Sequence, residues 1–266
     1  MINFRYISVI LFLLATLSAC RHETTGPMVP AGKVTFEIVH KVNGAGLIKN
    51  ELKYTNTAGN PYMITDLKYF ISDITFHRSD GSLTMIKDRN NIFYIDDNDF
   101  SSKTISFTDL IPAGSYDSIS FIFGISEAKN KSDIFNNPPE SYMAWPKILG
   151  GGYHYLMMNG KWQDTSGFIR PFNFHLGIGQ LYHGAGYDVD SIYAFVQNYF
   201  HVNLVSSGFN MKDQQNLTFH ISMNIEKWFD SPHVYDFNFQ GGAIMQNQAA
   251  MQIVKENGGS VFTLTP

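Results

Sequence analysis

Short runs of β-branched and aromatic residues, separated by turn-forming residues, recur along most of this chain of 266 residues. In the first run, KVTFEIVH, alternate positions are apolar, so that one face carries Val34, Phe36 and Ile38 and ends at His40. Runs such as SISFIFGI, FIRPFNFHL and NLTFHISMN follow, with Gly, Pro, Asn and Asp between them. A period of two is typical of strands with one buried face. Many short strands with little helix predict an all-β fold, an antiparallel β-sandwich.

Two segments depart from the strand pattern. AIMQNQAAMQIVKENGG has Met245, Ala249 and Ile253 at helical spacing and Gly258 as a stop, which predicts a short helical appendage near the C-terminus. Residues 126–152, which end in WPKILGGG, predict a long loop insertion between two strands. Long insertions of this kind often carry function.

The first 20 residues have the layout of a secretory signal. A basic residue precedes an apolar run, and residues 17–20, LSAC, resemble a bacterial lipobox. We therefore expect residues 1–19 to be a lipoprotein signal peptide, Cys20 to be the lipidated first residue of the mature protein, and residues 20–32 to be a polar tether. The sandwich domain then covers residues 33–266. A plain signal peptide with a chance cysteine is the alternative.

Composition excludes several functions. Cys20 is the single cysteine, so the mature chain has no internal disulfide. The net charge is -4 and there is no basic run, which argues against nucleic acid as a partner. The sequence has no nucleophile elbow, phosphate-binding loop or His-Glu-x-x-His motif. We therefore expect a protein that is not an enzyme and has no catalytic residues.

Two of the nine histidines, His40 and His154, have the parity of an apolar strand face, and His175 shares its side of a strand with Asn173. His40 ends the first strand, His154 follows the three glycines, and His175 closes FIRPFNFHL. An imidazole on an apolar face needs a hydrogen-bond partner or a metal. Each of the three, taken alone, is also explained as a core histidine with a hydrogen-bond partner. By the same parity, His220 is expected to face solvent.

A thioether and an indole lie close to these histidines in the sequence. Met143 and Trp145 belong to the insertion, just before the glycines, and His233 is a further candidate without a parity argument. Neutral imidazoles with a thioether suit copper, especially the cuprous ion. The glycines would let the backbone turn out of the insertion, so that His154 converges with His40 and His175 under the ring of Trp145.

Several segments, in order, resemble one family across about residues 33–262. They are LKYFISDITFHRSDG, IPAGSYDSISFIFGI, MAWPKILGGGYHYLMMNGKW, FNFHLGIGQ and GGAIMQNQAAMQIVKENGG. This set resembles the MbnP-like lipoproteins of Bacteroidota. The family is named for a periplasmic protein linked to methanobactin cassettes, which is found beside a dihaem peroxidase-like partner.

The resemblance implies a β-sandwich that binds copper through histidines, with a tryptophan oxidised to kynurenine near the metal. Carried over to this chain, it implies His40, His154, His175 and Met143 as copper ligands and Trp145 as the residue beside the metal. Relatives can place the tryptophan two residues before a histidine, whereas Pro146 and Lys147 follow Trp145 here.

The resulting hypothesis is a cell-envelope lipoprotein that binds copper for scavenging, storage or transfer. It would be held by the lipid on Cys20 on the periplasmic side of the outer membrane or at the cell surface, and a dihaem peroxidase-like protein would be its partner. Two alternatives remain open at this point. One is a binding module for a glycan or peptide without a metal, and the other is a structural envelope lipoprotein.

Overall fold

The alternating run KVTFEIVH lies in β1 (Ala31–Val42), where buried and more exposed residues alternate. The structure is a computed structural model and describes residues 29–265. The expected signal peptide, Cys20 and most of the expected tether therefore lie outside the described residues. Within residues 29–265, no helix is long and apolar enough to cross a membrane.

Two sheets form the sandwich. The smaller has six strands: β1, β2 (Ala45–Gly46), β7 (Thr104–Ser106), β8 (Ile111–Pro112), β16 (Asn216–Asn224) and β17 (Phe262–Thr265). Its order is β17-β16-β1-β2, and β7 and β8 also pair with β1. The β1–β16 pair is parallel, with His40 opposite Met223, whereas the other pairs are antiparallel.

The larger sheet has nine strands: β3 (Tyr54–Thr55), β4 (Pro61–Arg78), β5 (Leu83–Met85), β6 (Ile92–Asp96), β9 (Gly114–Phe123), β10 (Leu156–Gln163), β11 (Ile169–Leu176), β14 (Phe200–Leu204) and β15 (Phe209–Met211). Its main order is β11-β10-β4-β9-β14. A separate ribbon pairs β12 (Gly179–Tyr182) with β13 (Ile192–Val196). The predicted all-β sandwich is confirmed.

The α-helices in the described residues are short. α1 (Phe237–Gln240) is a single turn, and α2 (Gln248–Asn257) is the predicted C-terminal helix. The side chain of Asn247 caps α2 by accepting a hydrogen bond from the backbone N–H of Ala250 at 3.1 Å, a common way to begin a helix. The buried face carries Ala250, Met251 and Val254, one position away from the predicted stripe. Residues 225–229 form a short 3-10 helix.

The register of β4, β10 and β11 decides which side chains face the core. Tyr69, Leu156 and Leu176 are aligned across the three strands, and all three are fully buried between the sheets. Neighbouring positions in a strand point to opposite faces. The next aligned row, Lys68, Met157 and His175, therefore lies on the outer face of the larger sheet.

Residues 126–152 form the predicted insertion. They contain only short 3-10 turns, Glu140–Met143 and Lys147–Leu149, and run along the outer face near the end of β11. An isolated bridge between Ala144 and Tyr153 closes the last part of the insertion on itself. The loop is thereby held over the row that contains His175.

Candidate functional site

Two of the predicted histidines meet on the outer face of the larger sheet. The ring centroids of His154 and His175 are 5.2 Å apart, and the two ring planes are nearly perpendicular. The Trp145 ring packs against His154 with a centroid separation of 4.6 Å. His154 and Trp145 are almost completely buried. The arrangement is a pair of imidazoles covered by an indole, which we call the histidine pair.

His154 does not follow the parity predicted from the sequence. Parity with Leu156 and Met158 would have placed it between the sheets, where both of those residues are buried. However, β10 begins only at Leu156, and the irregular backbone before it breaks the alternation. The imidazole of His154 consequently lies on the same outer face as His175.

The insertion fixes both the position and the tautomer of His154. Its backbone N–H and its ring Nδ1 both lie within hydrogen-bond distance of the Met143 carbonyl, at 2.7 and 2.9 Å. A carbonyl only accepts hydrogen bonds, so Nδ1 carries the hydrogen and Nε2 carries the lone pair. His175 Nε2 donates to Asn159 Oδ1 at 2.9 Å, which leaves Nδ1 with the lone pair. Each ring therefore keeps one nitrogen that can bind a metal.

Trp145 is held from two sides. Its Nε1–H donates to the Leu149 carbonyl at 3.0 Å, and its backbone N–H donates to the Gly152 carbonyl at 2.9 Å. The indole lies directly on Gly177, where an added Cβ would be 2.6 Å from the ring. The small residue after β11 thus leaves room for the Trp145 ring, which meets the His154 ring edge-on.

The three consecutive glycines are required by backbone conformation and by space. Gly150, Gly151 and Gly152 have φ values of 109°, 68° and 77°, in the region that disfavours residues with a Cβ. A Cβ at Gly152 would be 2.5 Å from the Asn130 side chain, and one at Gly150 would be 2.8 Å from Ile178. The predicted turn out of the insertion is therefore present, and it brings His154 to His175.

Burial keeps both imidazoles neutral. Desolvation, with a smaller contribution from the nearby His175, lowers the pKa of His154 to about 4, although the hydrogen bond to the Met143 carbonyl opposes the shift. Desolvation also lowers the pKa of His175, while the negative charge of Asp66 opposes that shift. Only the neutral form of imidazole binds a metal. The histidine pair is therefore ready to bind a metal at neutral pH.

Met157 is a sulfur donor near the pair that the sequence did not identify. It is directly opposite His175 in the β10–β11 ladder and is half-buried. Side chains of directly opposite residues lie about 4.5–5.5 Å apart at Cβ. The signal was present in the sequence, but identifying it requires the register between two strands. Lys68, opposite Met157 on β4, is held by Asp66 at 2.6 Å.

His40 lies elsewhere, and its predicted convergence with the histidine pair is not found. It faces the space between the sheets, where Nδ1 bonds Asp97 at 2.7 Å and Nε2 bonds Tyr69 at 2.9 Å. Both ring nitrogens are therefore engaged. Because Tyr69 is on the core face of the larger sheet, His40 is separated from His175 by the thickness of that sheet.

The other residues considered in the sequence analysis do not place a side-chain donor at the histidine pair. His233 is half-exposed and pairs with Glu256 on α2. Met143 is buried and reaches the pair through its backbone carbonyl. His220 is half-exposed beside Glu37, as predicted. Among residues 29–265, no group of three or more His, Cys, Asp or Glu side chains is placed to hold a metal ion.

The fold and site define a class: a β-sandwich whose outer face carries a tryptophan-covered histidine pair. A family model described as MbnP matches residues 31–249, and the chain belongs to the MbnP family. Among solved structures, MbnP from Methylosinus trichosporium is similar at 14% sequence identity, with a TM-score of 0.50, over 77% of this chain and 80% of that chain. This likeness supports the sandwich fold. A comparison with curated proteins found no match.

Proposed function

We propose that this protein binds one cuprous ion through His154 Nε2 and His175 Nδ1. The observation that carries the proposal is the meeting of two neutral imidazoles, each with its other nitrogen donating a hydrogen bond. Such second bonds orient metal-ligating histidines in many proteins. Soft and borderline donors with few hard oxygens favour copper over magnesium or calcium. Membership of the MbnP family supports copper as the metal.

Met157 would add a thioether to the two imidazoles. A thioether is a soft ligand, and it favours the cuprous over the cupric state. The buried Trp145 ring would limit the access of water and oxidants to the ion. These features suit a protein that holds copper as cargo, for scavenging, storage or transfer, rather than one that uses the metal in a reaction of its own.

Location and partner belong to the same proposal. Lipidation at Cys20 would hold the sandwich at a membrane of the cell envelope, with residues 20–30 as the tether, because the last two residues of the tether predicted from the sequence belong to β1 (Ala31–Val42). A dihaem peroxidase-like protein would be the redox partner. If a tryptophan is oxidised to kynurenine, we expect it to be Trp145, because it packs on His154. Peptide mass analysis of protein from its native host tests this: modification of Trp162 or Trp228, with Trp145 intact, would contradict it.

The decisive experiment compares two histidine variants in a competition assay. Reduced protein is titrated with cuprous ion against a chromogenic chelator, and His175→Ala should lose binding. His220→Ala removes a half-exposed imidazole from the smaller sheet and should bind as the unsubstituted protein does. Equal affinities in the two variants would reject the histidine pair as the copper site. Absence of binding in the unsubstituted protein would reject the copper function and favour a module without a metal.

A further inference from the structure

A second chemical arrangement lies between the sheets and does not depend on copper. Asp97, His40 and Tyr69 form a continuous hydrogen-bonded chain, with distances of 2.7 Å from Asp97 to Nδ1 and 2.9 Å from Nε2 to the Tyr69 hydroxyl. Tyr69 is fully buried and His40 is nearly so. We call these three residues the tyrosine–histidine chain.

The direction of the hydrogen bonds follows from the carboxylate. Burial acts to raise the pKa of Asp97, but hydrogen bonds from His40 and Lys49 and the positive charge of Lys49 hold it below its usual value. Asp97 therefore accepts, and His40 Nδ1 carries the hydrogen. The Nε2 lone pair then accepts the hydroxyl hydrogen of Tyr69.

In the resting state of the tyrosine–histidine chain, Tyr69 and His40 are both neutral. Burial, and then the negative charge of Asp97, raise the pKa of Tyr69 well above its usual value. Burial lowers the pKa of His40, while the hydrogen bond and charge of Asp97 oppose this and the charges of Lys103 and Lys49 add to it. A protonated phenol is thus hydrogen-bonded to a neutral base whose far side is a carboxylate.

This arrangement suits one-electron oxidation of the phenol. Removing an electron makes the phenolic proton strongly acidic, and a buried tyrosine can lose that proton only to a base already in contact. In Tyr69 the base is His40 Nε2. The imidazolium that forms would be stabilised by Asp97 at 2.7 Å, as a buried charge requires.

We propose that Tyr69 is a buried proton-coupled redox site with His40 as its proton acceptor. A one-electron oxidant, such as a high-potential metal complex at the surface, takes one electron from Tyr69. The proton moves from the Tyr69 hydroxyl to His40 Nε2, which leaves a neutral tyrosyl radical and an imidazolium paired with Asp97. Re-reduction by one electron returns the proton to the phenol, so that the cycle is balanced.

Aromatic rings connect this site to a second oxidisable residue. Phe123 packs on Tyr69 at 5.6 Å and on Trp228 at 5.1 Å between centroids. The half-buried Phe200 packs on both Phe123 and Trp228. Among residues 29–265, Trp228 Nε1 is buried without a hydrogen-bond partner, so an oxidised Trp228 has no contacting base there for its proton. An electron vacancy that enters this cluster is therefore expected to settle on Tyr69.

Tyr62 provides a matched comparison on the same strand. Like Tyr69 it lies on β4 and is fully buried. Its hydroxyl, however, has no hydrogen-bond partner in the described structure. Burial and the nearby Glu226 carboxylate raise the pKa of Tyr62, but Glu226 accepts no hydrogen bond from it in the described structure. Tyr62 and Tyr69 thus differ in the presence of a hydrogen-bonded base, and only Tyr69 is expected to give a stable radical.

The experiment uses metal-free protein and a photo-oxidised ruthenium(III) polypyridyl complex as the oxidant. After flash oxidation and freezing, electron paramagnetic resonance should detect a tyrosyl radical in the unsubstituted protein and in Tyr62→Phe. Tyr69→Phe should lose the signal, and His40→Gln should lose or greatly shorten it. Formation of the radical should be slower in deuterium oxide, because a proton moves with the electron.

Several outcomes would overturn the inference. They are the absence of a radical in the unsubstituted protein, a signal that persists in Tyr69→Phe, and a signal that is lost in Tyr62→Phe but kept in Tyr69→Phe. Tyr69→Phe removes one hydroxyl and keeps the ring, and circular dichroism will confirm its fold. If His40→Gln does not fold, Asp97→Asn provides the second test: it should shorten the radical lifetime, and an unchanged lifetime would contradict the proton-acceptor role.

Discussion

His40 and the His154–His175 pair lie on opposite sides of one sheet, and their surroundings differ in one decisive respect. In both places burial keeps imidazole neutral. Both nitrogens of His40 already have partners, Asp97 and Tyr69. His154 and His175 each use one nitrogen for a hydrogen bond and keep the other lone pair. Burial is therefore common to both places, and within residues 29–265 a ring nitrogen without a hydrogen-bond partner distinguishes His154 and His175 from His40.

The largest expected difference between the His40 site and the histidine pair is in how far a histidine substitution lowers the free energy of unfolding. His40→Gln removes the hydrogen-bond partner of Asp97 and of the Tyr69 hydroxyl between the sheets, so it should lower the free energy of unfolding by about 2–4 kcal/mol, since each buried group left unsatisfied costs about 1–3 kcal/mol. His175→Gln breaks one hydrogen bond at a half-buried position and should cost about 1 kcal/mol. Urea unfolding of the metal-free proteins measures both. Similar losses would erase the distinction.

The order of the two variants should be reversed for copper binding, with the larger loss in His175→Gln. His40→Gln should still bind one cuprous ion per chain, under conditions in which it remains folded, because His40 contacts neither member of the pair. Loss of copper from folded His40→Gln would return His40 to the ligand set that the sequence first indicated.

A pH titration tests the burial of His154. The unfolded chain takes up a proton near pH 6.5, whereas the folded chain does so only near pH 4. Stability is therefore lost as the pH falls from about 6.5 toward 4, by roughly 3 kcal/mol for a shift of this size. His154→Gln should lose less over this range, and His220→Gln should match the unsubstituted protein. Identical pH profiles for all three would show that His154 is not desolvated.

Substitution of a glycine in the loop that carries His154 should have a smaller effect on stability. Gly152→Ala should lower stability by about 1–3 kcal/mol, from a positive φ, with an added contact between Cβ and Asn130. It should also weaken copper binding, because Gly152 holds Trp145. Gly44→Ala is the control: its φ is 80°, but nothing lies within 4 Å of an added Cβ. Equal losses, measured by thermal unfolding, would mean that only backbone strain matters.

Removal of the Met157 sulfur should have the smallest effect on stability and on copper binding. Met157→Leu preserves volume and should change stability by less than about 1.5 kcal/mol. It should weaken cuprous binding by up to about tenfold, or about 1.4 kcal/mol, through loss of the thioether. Met143→Leu should leave copper affinity unchanged, because its backbone carbonyl is the group that contacts His154. The reverse result in the chelator competition would restore Met143 as the sulfur ligand.

Much of the fold could be predicted from residue pattern. The alternation of KVTFEIVH places Val34, Phe36 and Ile38 in the core, and the insertion and the C-terminal helix are where the pattern predicted them. Of the predicted histidines, His154 and His175 do meet, and Trp145 does cover His154. The parity argument nevertheless placed His40 with them and put His154 on the wrong face.

The sequence by itself determined which residues alternate within each strand, because side chains in a strand repeat every two positions. It also determined that the turn at residues 150–152 needs glycine. Only the tertiary structure decided which strands pair, in what register, and where the alternation stops. Those depend on contacts between distant segments: Met157 meets His175 across β10 and β11, and Asp97 reaches His40 from another loop. The pattern within one segment contains no information on which distant segments come together. For this reason the sequence grouped His40 with His154 and His175, whereas the structure places them at two separate sites.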